Sequence, residues 1–311
     1  MPAEFAQATE HPYSSSTHRW WSLAWIALLV WAATRIEWNA VATALHHVSC
    51  GAVVGLLVAC WLATIFQALR FYYLYPGGLG PMRHIALNFA VQAGNVLLPA
   101  RTGEVLRPFY MKRWNPVVPV KELVVWSVID KMVEVIAILP LVLAADAALE
   151  TDPKFALISR WAWPLTALVV AVGISLIAIY WRRGWRASVQ AGRSLTARNA
   201  LLSIACSLMG WIFNLWIFYL VVPSVSLSLA LLVGVNLASA ILGLPAGFGA
   251  FEASFIWVGH MGGMSTEQAL ALALISHVLQ IIGTLAVGVP MLARWGWPRA
   301  QQELVALKGA A

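Results

Sequence analysis

An all-α, polytopic helical membrane protein is the fold class this sequence predicts, and three observations predict it. Of 311 residues, 61% are hydrophobic and only 11% charged, against about a quarter charged in an ordinary soluble domain. Mean hydropathy is +0.77, and 33 charged side chains are too few to cover so apolar a core in water. Many of the 17 tryptophans sit at the ends of apolar runs, among them Trp20, Trp21, Trp38, Trp114, Trp161, Trp181 and Trp295. Aromatic rings gather there because one edge prefers hydrocarbon and the other the headgroup layer.

The apolar runs give the elements in order. Residues 1–18 are polar and Ser-rich, without a cleavage pattern, and read as a cytoplasmic N-terminus followed by a retained helix. Residues 19–292 read as a single transmembrane domain, and 293–311 as a cytoplasmic tail. Six runs within the domain, 20–36, 50–74, 121–145, 161–181, 200–222 and 266–292, are each long enough to span a core of about 30 Å. Two further apolar regions, 84–113 and 228–262, are interrupted by Pro99-Ala100-Arg101-Thr102-Gly103 and by Pro245-Ala246-Gly247-Phe248-Gly249. Their arms are mostly too short to cross alone. Lipid cannot satisfy the backbone groups freed at such breaks, so they must be buried in protein or face a wet cavity. Both regions therefore read as re-entrant helical hairpins.

The two breaks are similar. Leu98-Pro99-Ala100-x-x-Gly103 aligns with Leu244-Pro245-Ala246-x-x-Gly249, and Glu104 and Glu252 follow. Three spans separate the hairpins, so they enter from opposite sides. That is the arrangement of an inverted repeat, in which broken helices meet at a substrate site. The formal charge of +7 reports orientation rather than nucleic acid, since no nucleic-acid motif accompanies it. Sixteen basic residues, Arg70 and Arg107 counted among them, fall on the side of the N-terminus. Only Arg35, Lys154 and Arg160 fall on the other. By the positive-inside rule both termini face the cytoplasm of an inner membrane.

Several clusters bear chemistry. Arg101 and Arg107 flank the first break and suit a phosphate or carboxylate. Gly103 permits a tight break. Helical N–H groups opening near Thr102 favour an anion, and Glu104 is spaced to orient Arg107. The alternative is a plain interfacial loop. Asp130, Lys131 and Glu134 lie roughly 15–20 Å along the third span. Each charge there costs on the order of 2.5–3.5 kcal/mol. Asp130 and Glu134 share a face, and Lys131 is spaced to pair with Glu134. A structural ion lock, a proton relay and a counter-charge for the hairpin arginines all fit. Gly247, Gly249 and Glu252 form a weak phosphate-cradle pattern, or a packing turn with a capping glutamate. Asn88, Gln92 and Asn95 on the first hairpin, Asn236 on the second, and His277 with Gln280 on the last span are further candidates for a polar path.

Cys50, Cys60 and Cys206 lack metal or CxxC spacing, and no nucleophile, metalloprotease or P-loop motif is present. No cofactor, metal or catalytic residue is expected.

The run Asn95 to Arg107 resembles the signature of the lysylphosphatidylglycerol synthase transmembrane family, also described as flippase-like membrane proteins. Asp130-Lys131-x-x-Glu134 is similar in sign to that family's acid–base–x–x–acid pattern. Gly247, Gly249 and Glu252 match its Gly-rich turn, and the likeness covers about 50–292. His277 stands where the family commonly has an arginine, which leaves substrate and coupling open. The resemblance implies movement of a phospholipid or a polyprenyl- or hopanoid-type lipid-linked substrate. The implied partners are membrane lipids with anionic or lipid-linked headgroups, not nucleic acid. The alternative is an accessory role beside a lipid-modifying enzyme or glycosyltransferase. The synthase activity itself needs a separate soluble domain. The 19 residues after Leu292 leave no room for one, so that activity is not expected.

Overall fold

The computed structural model describes residues 49–75, 79–98, 102–149, 196–242 and 245–295, with isolated positions between 34 and 43 and between 164 and 175. The expected spans 20–36 and 161–181, the tail segments 1–18 and 296–311, and Arg101 lie outside the described residues. Within them the chain is all-helical: α1 (Cys50–Leu74), α2 (Pro81–Leu97), α3 (Thr102–Trp114), α4 (Val120–Leu149), α5 (Ala197–Val221), α6 (Val225–Leu242), a 3-10 turn (Pro245–Gly247), α7 (Ala250–Met261) and α8 (Thr266–Trp295).

Local chemistry sets the boundaries. The Ser49 hydroxyl accepts from the Ala52 N–H at 3.1 Å and opens α1, and Thr196 accepts from Asn199 at 3.2 Å to open α5. Such caps satisfy amides that have no partner in the first turn. Pro81 stands in the first turn of α2, where its missing N–H costs nothing. That helix stops at Leu98, whose φ of −119° and ψ of 148° are extended, because a following proline excludes the helical conformation. The second break is built differently. Ala246 adopts φ 52°, and Gly247 and Gly249 adopt 79° and 82°, so the chain turns through left-handed backbone before α7 begins.

Both interrupted regions thus form helix–break–helix units, with α2 and α3 in the first and α6 and α7 in the second. The close packing inside the first has a specific cause. A Cβ on Gly103 would lie 2.0 Å from the Val91 carbonyl oxygen, so only glycine lets α3 approach α2. Gly103 is required for this contact rather than for positive φ, which it does not adopt.

Helices α1, α5 and α8 are long and apolar enough to cross a membrane. The α1–α5 pairing is the most extensive in the bundle, and α8 packs on α2. One apolar cluster joins α1, α2, α3 and the start of α4 through Phe71, Leu87, Tyr110 and Leu123. Another joins α5 to α8 through Phe218, Leu231, Phe255 and Ala273. Exposed side chains such as Val54, Val58, Ile212, Trp216 and Ile282 are large and apolar, as lipid-facing positions require. The second break packs against α2, which brings the two units together.

Candidate functional site

The centre of the site is a buried ion network on α1, α3 and α4. Asp130 is fully buried and holds two arginines. Arg70 grips it with Nε at 2.7 Å from Oδ1 and Nη2 at 2.9 Å from Oδ2. Arg107 donates to Oδ2 from Nη1 at 2.9 Å. Arg70 also reaches Glu134 at 3.1 Å. Arg107 reaches Glu104 at 3.1 Å and the Asn88 side-chain oxygen at 3.0 Å, and its guanidinium lies 5.1 Å from the centre of the Phe71 ring. Lys131 bridges Glu104 at 2.9 Å and Glu134 at 2.8 Å.

The three cations and three carboxylates close neutral. An uncompensated charge so buried would cost several kcal/mol, whereas a paired and hydrogen-bonded set can be tolerated. Forked guanidinium geometry suits the task because it delivers two parallel bonds to one carboxylate.

Two readings of the sequence change here. Arg70 and Arg107 were counted as loop cations, yet they are 2% and 3% exposed. They speak for the ion network, not for orientation. Arg107 spends its Nη donors on Asp130, Asn88 and Glu104 instead of standing open as a fork. The expected spacings do hold within the helices: Glu104 meets Arg107, and Lys131 meets Glu134, each at i,i+3. Arg70 sits about one turn from the end of α1.

Beside the network is a polar cavity of about 240 Å³. The first unit contributes Gln92, Asn95 and Glu104, the second Asn236, Ser239, Ala246 and Gly247, and α8 contributes His277, Gln280 and Thr284. Lys131 and Glu134 face it from α4, and Gln67, Trp211 and Asn214 from α1 and α5. Lys131 is 42% exposed, so the network presents its ammonium to this space.

Amides fix the first break. The Glu104 N–H donates to Asn95 Oδ1 at 3.2 Å, Asn95 donates to Gln92 at 3.2 Å, and Gln92 donates to Gln67 at 3.1 Å. One of the free N–H groups expected at the start of α3 is thereby capped from within. Asn88 lies outside the cavity. It is 3% exposed and donates to the Thr64 carbonyl at 2.9 Å while accepting from Arg107. Asn236 faces the cavity and donates to Leu232 at 2.7 Å. Gln280 donates to Ser276 at 3.2 Å.

At the second break Glu252 accepts the Gly249 N–H at 2.7 Å, so a carboxylate already caps α7 where the glycine pattern suggested a phosphate. Its other oxygen lies 2.7 Å from His277 Nδ1, and His277 Nε2 lies 2.9 Å from the Ala246 carbonyl. The imidazole stacks on Phe251 with centroids 4.3 Å apart. Gly249 and Glu252 thus shape the break, whereas Gly247 and His277 line the cavity.

Sequence reasoning missed Arg70, Gln67 and Asn214. Gln67 and Arg70 stand one turn apart near the end of an otherwise apolar run, a spacing that marks one helix face. Nothing in the sequence distinguishes that face from a headgroup-facing one.

These features define a class: an all-helical membrane protein in which two broken helices meet at a polar cavity. The chain belongs to the family described as lysylphosphatidylglycerol synthase TM region, whose model matches residues 19–288. That family is a transmembrane region and not a catalytic domain, and it places the chain among membrane proteins of lipid-related pathways. A search of curated proteins found no match.

Proposed function

We propose that this protein is a lipid transporter. It moves a phospholipid or a polyprenyl- or hopanoid-type lipid-linked substrate across the inner membrane and catalyses no covalent step. The observation that carries this reading is the cavity itself, bordered by both helix breaks and lined by amides, hydroxyls and the Lys131 ammonium. A headgroup stripped of water needs such partners, because each unpaired polar group in hydrocarbon costs several kcal/mol. The tails would remain in the bilayer. The two helix–break–helix units act in this reading as an inverted pair of re-entrant hairpins. Both termini lie in the cytoplasm, as the remaining basic residues of the loops favour. Lys131 supplies the cation for an anionic headgroup, with Arg101 next to the first break as a second.

Reconstitution tests it. Proteoliposomes carrying fluorescent phosphatidylglycerol are treated with a membrane-impermeant quencher, and lipid exchange between leaflets is followed. The expected result is exchange well above protein-free vesicles, strongly reduced in Asn236→Leu and Lys131→Met at equal protein content. Exchange at the protein-free level, for phosphatidylglycerol and for a polyprenyl phosphate alike, would overturn the transporter reading and favour the accessory role.

A further inference from the structure

We propose that Glu252 and His277 form a proton-binding site that latches the second helix break, and that its loading couples lipid movement to protons. The coupling rests on the transporter reading; the proton site stands on geometry alone.

The argument is a count of protons. His277 Nε2 faces the Ala246 carbonyl oxygen at 2.9 Å, and a carbonyl can only accept, so this nitrogen carries a hydrogen. His277 Nδ1 faces Glu252 Oε1 at 2.7 Å. A bond at that distance needs a hydrogen between the two atoms. It sits on the ring, as imidazolium with carboxylate, or on the acid, as imidazole with carboxylic acid. Either way the pair holds two protons. Remove one and only one contact survives. A lone pair then faces a lone pair, at Glu252 or at Ala246, and those groups separate.

Three elements meet at this pair: His277 is on α8, Glu252 on α7, and Ala246 in the turn between α6 and α7. The second Glu252 oxygen caps α7 through Gly249. Ala246 holds φ 52°, a conformation that costs a side-chain-bearing residue free energy and persists only while neighbours impose it. The Nε2 bond is one such restraint. Loss of one proton thus frees α8 either from Glu252 on α7 or from the strained Ala246, according to which ring nitrogen keeps its hydrogen.

The site communicates with the cavity, which His277 and Ala246 both line, while Phe251 stacks on the ring and Phe248 lies 5.0 Å from it. Glu252 is the ionisable group in contact with His277. Other charged groups of the cavity are Glu104, Lys131 and Glu134, and they compensate one another through Lys131. Arg70 and Arg107 are held by Asp130. On α8 the neighbours Gln280 and Thr284 are neutral, as are Asn236 and Ser239 on α6.

Glu252→Gln separates the possibilities. The amide oxygen can still cap α7, and its N–H₂ can donate to a neutral His277 whose Nε2–H still meets Ala246. Both contacts persist without the exchangeable proton. Purified protein in detergent, moved from pH 9 to about pH 6, above the range where an unpartnered glutamate takes up a proton, is expected by a pH-indicator dye to take up one more proton per chain than Glu252→Gln. The same difference is expected from His277→Gln. In proteoliposomes, wild-type lipid exchange should speed or slow with an imposed pH gradient, and Glu252→Gln should lose that response. Equal proton uptake by wild type and both variants overturns the proton site. Unequal uptake with lipid exchange indifferent to the gradient overturns the coupling. Unequal uptake with no lipid exchange at all overturns the transporter reading and leaves the proton site standing.

Discussion

Asp130 and Lys131 are neighbours in sequence and opposites in environment. Asp130 is fully buried and holds both arginines, whereas Lys131 is 42% exposed and faces the cavity. Asp130→Asn removes the carboxylate that Arg70 and Arg107 share, leaving Arg70 with Glu134 and Arg107 with Glu104 and Asn88, and gives the buried network a net positive charge. It should cost about 3–5 kcal/mol, the usual penalty for breaking a buried pair from one side, and lower the thermal midpoint in detergent accordingly. Lys131→Met leaves Glu104 and Glu134 each with an arginine contact and access to cavity water. Its loss should be smaller, about 1–2 kcal/mol, and Lys131→Met with Glu134→Gln should recover part of it. A Lys131→Met midpoint as low as that of Asp130→Asn would show that the ammonium is not solvated. The i,i+3 pairs of this cluster were legible from spacing alone. A pairing of the cluster with Arg107 was one of the readings the sequence left open, whereas the part of Arg70 was not legible, because it comes from a helix distant in sequence.

At the scale of elements, the two breaks use glycine for different reasons, and substitution should separate them. Gly103→Ala places a methyl group 2.0 Å from the Val91 carbonyl. Helices α2 and α3 must part, and the Asn95 bond to the Glu104 amide goes with them. Overpacking of this kind typically costs 1–3 kcal/mol or more. Gly249→Ala meets no atom within 4 Å and pays only for its backbone, φ 82° and ψ −44°, about 1–3 kcal/mol. Thermal unfolding of the two variants should rank Gly103→Ala below Gly249→Ala, and the reverse order would contradict the helix approach described here. Both interruptions were legible in sequence, since proline forces the preceding residue out of the helix. The role of Gly103 was not, because nothing local reveals that another helix lies against it.

For the whole molecule, the cavity depends on the joining of two units more than a hundred residues apart, and its wall can be tested without disturbing the ion network. Gln92→Leu removes a link in the amide chain from Asn95 to Gln67 and places a methyl-bearing side chain in the cavity. It should lower lipid exchange several-fold while shifting the thermal midpoint little, because a side chain bordering a cavity leaves no packed void behind. Normal exchange in Gln92→Leu would place the headgroup elsewhere. Orientation follows from labelling. A cysteine at position 112, with Cys50 replaced by serine, should react with an impermeant maleimide only after the inner membrane is opened.

The sequence by itself determined the class and, among the described residues, the helices and where they break, since run length, hydropathy and proline geometry are local properties. The resemblance carried by Asn95 to Arg107 led to the family that the model match over residues 19–288 establishes. Only the tertiary structure decided which charges are spent on one another. Arg70 and Arg107 looked like loop cations until the packing of α1 and of α3 against α4 delivered both to Asp130. It also decided that His277 meets both Glu252 and the Ala246 carbonyl. The reason is physical: a helix fixes the angular relation of residues three and four apart, but which helix faces which charge is set by how apolar surfaces pack, and sequence spacing carries no record of that.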